Sequence, residues 1–158
     1  MHSEATNRRK FSETDHPWGA TVQTIPWKSR YSMGIEALDE QRAAYISILN
    51  ELHAGTIDGF EHPAISMLLA KLKGVMEAHF SVEEESMSSA GFVGLAHHRA
   101  MHMAMVRQVD QFVTRNDSFD VTVPLPLLNF LRGWFAIHML GDDLLFAQWL
   151  KESDAVQR

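Results

Sequence analysis

Three short stretches of the chain carry imidazoles and carboxylates at spacings that a helix brings onto one face. "AHFSVEEESM", residues 78–87, has His79 four residues ahead of Glu83. "HHRAMH", residues 97–102, has His98 four ahead of His102. "HMLGDD", residues 138–143, has His138 followed by Asp142 at the fourth position and Asp143 at the fifth. Residues four apart on an α-helix lie one above the other, with Cβ atoms about 5–6 Å apart. That suits two ligands converging on one metal ion, or on two neighbouring ions. Each pair alone is commonly an exposed polar contact, and a His with an Asp is commonly a structural hydrogen-bonded pair. The neighbours change this reading. Phe80 and Val82 flank the first pair, and Trp134, Ile137 and Met139 flank His138, as in stretches that face a core at least in part. Burying four imidazoles and two carboxylates with no shared partner costs about 1–3 kcal/mol per unsatisfied group, and more for a charge. A metal ion satisfies them together.

The chain has no cysteine, which excludes thiolate metal sites, disulfides and cysteine nucleophiles. Imidazole with carboxylate and no sulfur suits iron, zinc or manganese. Six ligands are too many for one tetrahedral zinc and suit two octahedral ions bridged by carboxylates. None of His79, His98, His102 and His138 has a Glu three residues before it, so they do not follow the dimetal scheme of ferritin-like bundles, and His-Glu-x-x-His is absent. Five of the nine Met lie near the candidate ligands: Met76, Met87, Met101, Met103 and Met105. They read as core filler.

Helices must position these groups, and apolar spacing predicts four. The first covers about 36–55, with Leu38, Tyr45, Ile46, Leu49 and Leu52 on one stripe and Gly55 as a stop. The second covers about 62–89, with Pro63 in its first turn and Ile65, Leu68, Leu69, Leu72, Val75 and Met76 on its stripe. The third covers about 94–115, through Leu95, Met101, Met105, Val109 and Phe112. The fourth covers about 125–151, through Leu128, Leu131, Trp134, Phe135 and Leu145, after Pro124 and Pro126. Short connections between long amphipathic helices imply antiparallel neighbours. The fold class is all-α: an up-down-up-down four-helix bundle with an extended N-terminal arm. Residues 1–34 form the arm, with Trp18, Trp27 and Tyr31 to pack it down. Residues 35–152 form the bundle, and 153–158 a C-terminal tail.

A length of 158 residues suits one domain with a sizeable core. At 46% hydrophobic and 22% charged, the chain reads as globular. Its net charge of -6 argues against nucleic acid or an anionic membrane as partner. The N-terminus lacks the apolar run of a secretory signal, and no stretch is long and apolar enough to span a membrane. The expected location is cytoplasmic.

With these residues in hand, the chain resembles the bacterial hemerythrins, four-helix bundles with a non-haem diiron centre that binds dioxygen. The resemblance covers about residues 26–150. It rests on "PWKSRYSMGIEALDEQR", "HFSVEEESM", "HHRAMH" and "WFAIHMLGDDLLF". In the family an Asp follows the His of the fourth helix by five, which selects Asp143 over Asp142. Five residues is about 140° of α-helical turn, so a local π-type widening is expected there. The resemblance implies that His98, His102 and His138 hold one iron, that His79 sits on the other, and that Glu83 and Asp143 bridge them. His97, about 100° away from His98, is expected at the surface or behind the ligands.

One position departs from the family pattern. The family has a ligand His on the first helix, three residues after the Asp of "DEQ"; here "LDEQRAAY" places Arg42 there. A guanidinium stays protonated and ligates no cation. His53, eleven residues on and roughly 16 Å along the helix, is badly placed to substitute. Three fates for Arg42 are open: pairing with Glu83 or another carboxylate, stabilising an anionic oxygen species beside an opened iron, or turning outward to solvent. The function implied is an iron protein that binds or senses dioxygen or another small ligand, with a ligand-depleted second iron that is weak or absent. The alternatives are a metalloenzyme of peroxidase or oxidase type using the opened iron, or a bundle with a partly vestigial site. Binding or sensing is read ahead of an enzyme because no separate acid–base constellation is present.

Overall fold

The computed structural model describes residues 24–156. Trp18 and the first part of the arm lie outside the described residues. A 3₁₀ turn at Ser29–Tyr31 leads into α1 (Glu36–Asp58), α2 (His62–Ala90), α3 (Leu95–Asp117), α4 (Pro124–Trp134), a π-helical segment (Phe135–Asp142) and α5 (Asp143–Val156). The last three run on without a break as the fourth helix of the bundle. Helices and turns account for the described residues, with no strand among them. The segment read as a tail is helical as far as Val156.

Local chemistry sets the ends. Glu36 and Asp39 lie in the first turn of α1, where the helix dipole favours negative charge. Pro63 sits at the start of α2, where its missing N–H leaves no bond unmade. Gly91 closes α2 in the left-handed region at φ 69°, and the Phe92 N–H returns to the Met87 carbonyl. Gly55 does not stop α1, which runs to Asp58. A Cβ at Gly55 would lie 1.9 Å from the Phe60 ring, so this glycine makes room for a side chain of the following connection.

α1 packs on α2 and α4, and α2 on α3. The apolar core is in two parts. The larger includes Tyr45, Leu49, Leu72, Met76, Phe80, Met105, Val109, Leu131, Phe135 and Met139. The smaller contains Met33, Leu38, Met87, Phe146 and Ala147. The candidate ligands and Arg42 fall between the two along their helices, as a polar layer across the bundle. Met76, Met87 and Met105 fill core as expected, but Met103 is exposed. Leu145 is also exposed: the wide turn before it advances the register, and Phe146 and Ala147 take the inward positions instead.

The described part of the arm is fastened at three points. Ile25 and the Asn50 side chain exchange two hydrogen bonds, at 2.7 and 3.0 Å. Asp39 accepts from the Met33 N–H at 2.7 Å and from the Ser32 hydroxyl. Tyr31 is buried edge-on against Phe135, at 5.4 Å between ring centroids.

Candidate metal centre

α2 contributes His79 and Glu83, α3 His98 and His102, and the fourth helix His138 and Asp143. All six are buried. Five converge: Glu83, His98, His102, His138 and Asp143 offer ligand atoms that all lie within 4.8 Å of one another. Glu83 Oε2 is 2.9 Å from His98 Nε2 and 3.2 Å from His102 Nε2. Asp143 Oδ1 is 3.0 Å from His138 Nε2 and 3.4 Å from His98 Nε2. The His102 and His138 Nε2 atoms are 3.2 Å apart. His79 stands beside this group rather than in it. Its Nε2 is 3.4 Å from Asp143 Oδ2 and 3.8 Å from Glu83 Oε2.

The π segment is what places Asp143. The Asp143 N–H returns to the carbonyl of His138, five residues back, rather than to Met139, four back. The wide turn sets Asp143 on the same side as His138, as the spacing of five predicts. It also deprives the Met139 carbonyl of its α-helical donor. Arg42 supplies the replacement: its Nη2 donates to the Met139 carbonyl at 2.6 Å.

Arg42 is 0% exposed, which rules out the outward-turned reading. Its Nη1 donates to Asp143 Oδ2 at 2.9 Å and its Nε to the Tyr31 carbonyl at 2.8 Å. The carboxylate it pairs with is therefore Asp143. Burial pulls the guanidinium below its ordinary pKa, opposed by the charges of Asp143, Glu83 and Asp39.

Other side chains fix the imidazoles. Glu84 Oε1 lies 2.8 Å from His102 Nδ1, and its other oxygen accepts from Arg99 Nε at 3.0 Å. A proton held on Nδ1 leaves the His102 Nε2 lone pair facing the cluster, the arrangement a metal needs. Phe80 stacks on His102 at 3.8 Å and Trp134 on His138 at 4.0 Å. Glu84 was not legible as a support, since in "VEEES" it reads as one more surface carboxylate. Ile137, expected beside His138, is exposed. His97 is exposed, as expected.

The electrostatics show a site short of positive charge at its centre. Burial pushes the Glu83 and Asp143 carboxyls up, but the close imidazoles of His102 and His98 hold Glu83 below its ordinary value. The close imidazoles of His138, His79 and His98 hold Asp143 well below its own. Burial pulls His98 down, yet Asp143 and Glu83 together hold it up at about 9. Even so, Glu83 Oε1, Asp143 Oδ1, His79 Nδ1 and His138 Nδ1 have no hydrogen-bond partner. Asp143 Oδ1 lacks one although two imidazole nitrogens lie within 3.4 Å. Those contacts have the distance of hydrogen bonds without their direction, as expected of ligand atoms aimed at a common point. The residues fit a metal ion. Among the described residues, a groove of about 510 Å³ lies elsewhere, lined by Gly55, Phe60, Val121, Leu125 and Pro126 among others, none of them titratable.

A helical bundle with an inward-facing set of three imidazoles and two carboxylates defines a metal-binding bundle protein. The family model described as the hemerythrin HHE cation binding domain matches residues 33–150, and the chain belongs to that family. A bacteriohemerythrin of Ralstonia nicotianae is 30% identical over 134 residues, 83% of this chain and 92% of the relative. One of Stenotrophomonas maltophilia is 26% identical over 127 residues, 80% and 82% of the two chains. A myohemerythrin of Theromyzon tessulatum is 27% identical over 120 residues, 76% and 88%.

Proposed function

We propose that this chain is a non-haem iron protein that binds or senses dioxygen, with a second iron site modified by Arg42. The observation that carries this is the inward-facing donor set of His98, His102, His138, Glu83 and Asp143, with buried oxygens that lack partners, in a chain of the hemerythrin family. Bound iron supplies an oxidisable cation with affinity for dioxygen. The chain supplies three neutral imidazoles, two carboxylates and an enclosed setting. The ring stacking of Phe80 and Trp134 holds two of the imidazoles in place, and Glu84 holds the proton of one on its outer nitrogen.

The bundle over 35–152 is the iron-holding unit, and the arm serves it through the Tyr31 carbonyl. An enzyme of peroxidase or oxidase type is less well supported. That reading needs Arg42 to meet an anionic oxygen species, and its guanidinium is already paired with the Asp143 carboxylate and anchored on two backbone carbonyls. The cysteine-free composition suits a cytoplasmic protein, and among the described residues no helix is long and apolar enough to cross a membrane.

The test is direct. Protein produced with iron should retain it through desalting, and the reduced protein should change its visible spectrum on exposure to oxygen. A folded protein that takes up no iron would sink the proposal.

A further inference from the structure

Resting on that iron reading, we infer that the centre is built for one metal ion, with the Arg42 guanidinium as its fixed second cation and His79 released from ligation. The two oxygens of Asp143 divide the work. Oδ1 has no hydrogen-bond partner and lies 3.0 Å from His138 Nε2 and 3.4 Å from His98 Nε2, so it belongs to the ion. Oδ2 belongs to Arg42, at 2.9 Å. One carboxylate thus bridges an ion and a guanidinium.

Arg42 cannot step aside cheaply. It is wholly buried, and it also donates to the Tyr31 and Met139 carbonyls. The π turn redirects the α-helical donor of the Met139 carbonyl to His138, so moving Arg42 would remove the hydrogen bond that replaces it. The guanidinium is held by an arm, a helix and a helix defect at once.

The cation count follows from this. Five donors face one point, and His79 is not among them. A second ion on the Arg42 side would find His79, the free oxygen of Glu83, and an Asp143 oxygen already hydrogen-bonded to a permanent positive charge. Two carboxylates against one guanidinium leave one negative charge to meet a dication. A second dication would make the layer strongly positive in a poorly solvated interior, where like charges repel most. His79 instead lies at 3.4 Å from Asp143 Oδ2, on the guanidinium side and outside the donor set.

The experiment loads native, Arg42→His, His79→Ala and Arg42→His/His79→Ala chains anaerobically with ferrous iron and removes the excess by desalting. Iron per chain is then measured, and each reduced protein is titrated with a one-electron oxidant. The native chain should hold one iron and give up one electron per chain, and His79→Ala should match it. Arg42→His should hold two irons, and the double variant should return to one, because His79 becomes a ligand only when Arg42 is gone. Two irons in the native chain, or loss of its iron on His79→Ala, would overturn the inference and leave the iron reading standing. No iron in folded native protein overturns both. If Arg42→His fails to fold, the native iron count and the His79→Ala chain decide the matter alone.

Discussion

On the α3 side of the polar layer, His98, His102 and His138 crowd their Nε2 atoms around Glu83 and Asp143, and Asp143 Oδ1 has no hydrogen-bond partner. On the α1 side, Arg42 meets the same Asp143 with an ion pair and gives its other donors to two backbone carbonyls. Both sides bury charge to the same degree. One needs a cation from outside to be satisfied; the other carries its own. The lesson is that a protein can complete a buried carboxylate either with a metal or with a guanidinium, and that in the proposed centre one carboxylate takes both. The first choice is reversible and chemically reactive, and the second is permanent and structural.

The sharpest way to break the comparison is to remove a ligand from the needy side. His138→Ala should lose iron altogether on desalting while the bundle still folds, as measured by metal content and circular dichroism. Retention of a full complement would place the ion elsewhere. On the self-sufficient side, Arg42→Ala should cost stability, by about 3–5 kcal/mol in denaturant unfolding of the metal-free protein, because it strands a buried carboxylate. The surface pair Lys73–Asp110, both half-exposed, is the control: Lys73→Ala should cost under about 1 kcal/mol. Equal losses in the two variants would mean that Arg42 is not the keystone its geometry implies.

Acidity probes both sides together in the metal-free chain. Folding raises His98 from 6.5 to about 9, so its contribution to stability is complete below 6.5 and disappears as pH rises through about 9. Folding depresses Glu83 and Asp143, so their contribution is present above their ordinary values of 4.5 and 3.8 and is lost as pH falls. The thermal midpoint of the metal-free protein should therefore peak between about pH 5 and 6.5. Iron should move the peak upward, since ligation takes the unprotonated imidazole. A metal-free midpoint that keeps rising to pH 9 would contradict this. The mildest effect is expected outside the donor set. Glu84→Gln should weaken iron retention by about 10- to 100-fold in chelator competition without changing the number of ions, since it only orients His102.

Much of this was readable in the residues. The candidate ligands sit at spacings of four and five on helices with apolar stripes, so the sequence announces both the bundle and the faces that carry them. The family resemblance, by selecting Asp143 over Asp142, implied the wide turn as well, because an α-helix would set His138 and Asp143 about 140° apart. The failures share one cause. Leu145 was read at an α-helical register that the π segment shifts, and Gly55 was read as punctuation when it makes room for the Phe60 ring. Both errors extend a local pattern past a point where a neighbour changes it.

What the sequence determined by itself is the set of candidate donors and the helices that bear them, for these depend on residue type and period; that an arginine stands where a ligand was expected follows from the family resemblance. What only the tertiary structure decided is what Arg42 does. Its partners are an arm carbonyl at Tyr31, a carbonyl at Met139 that its own helix no longer uses, and a carboxylate 101 residues away. Two of the three are backbone groups, which every residue possesses and no sequence pattern marks. Their availability comes from how the arm lies and where a helix widens, and that is fixed only when the four helices have packed.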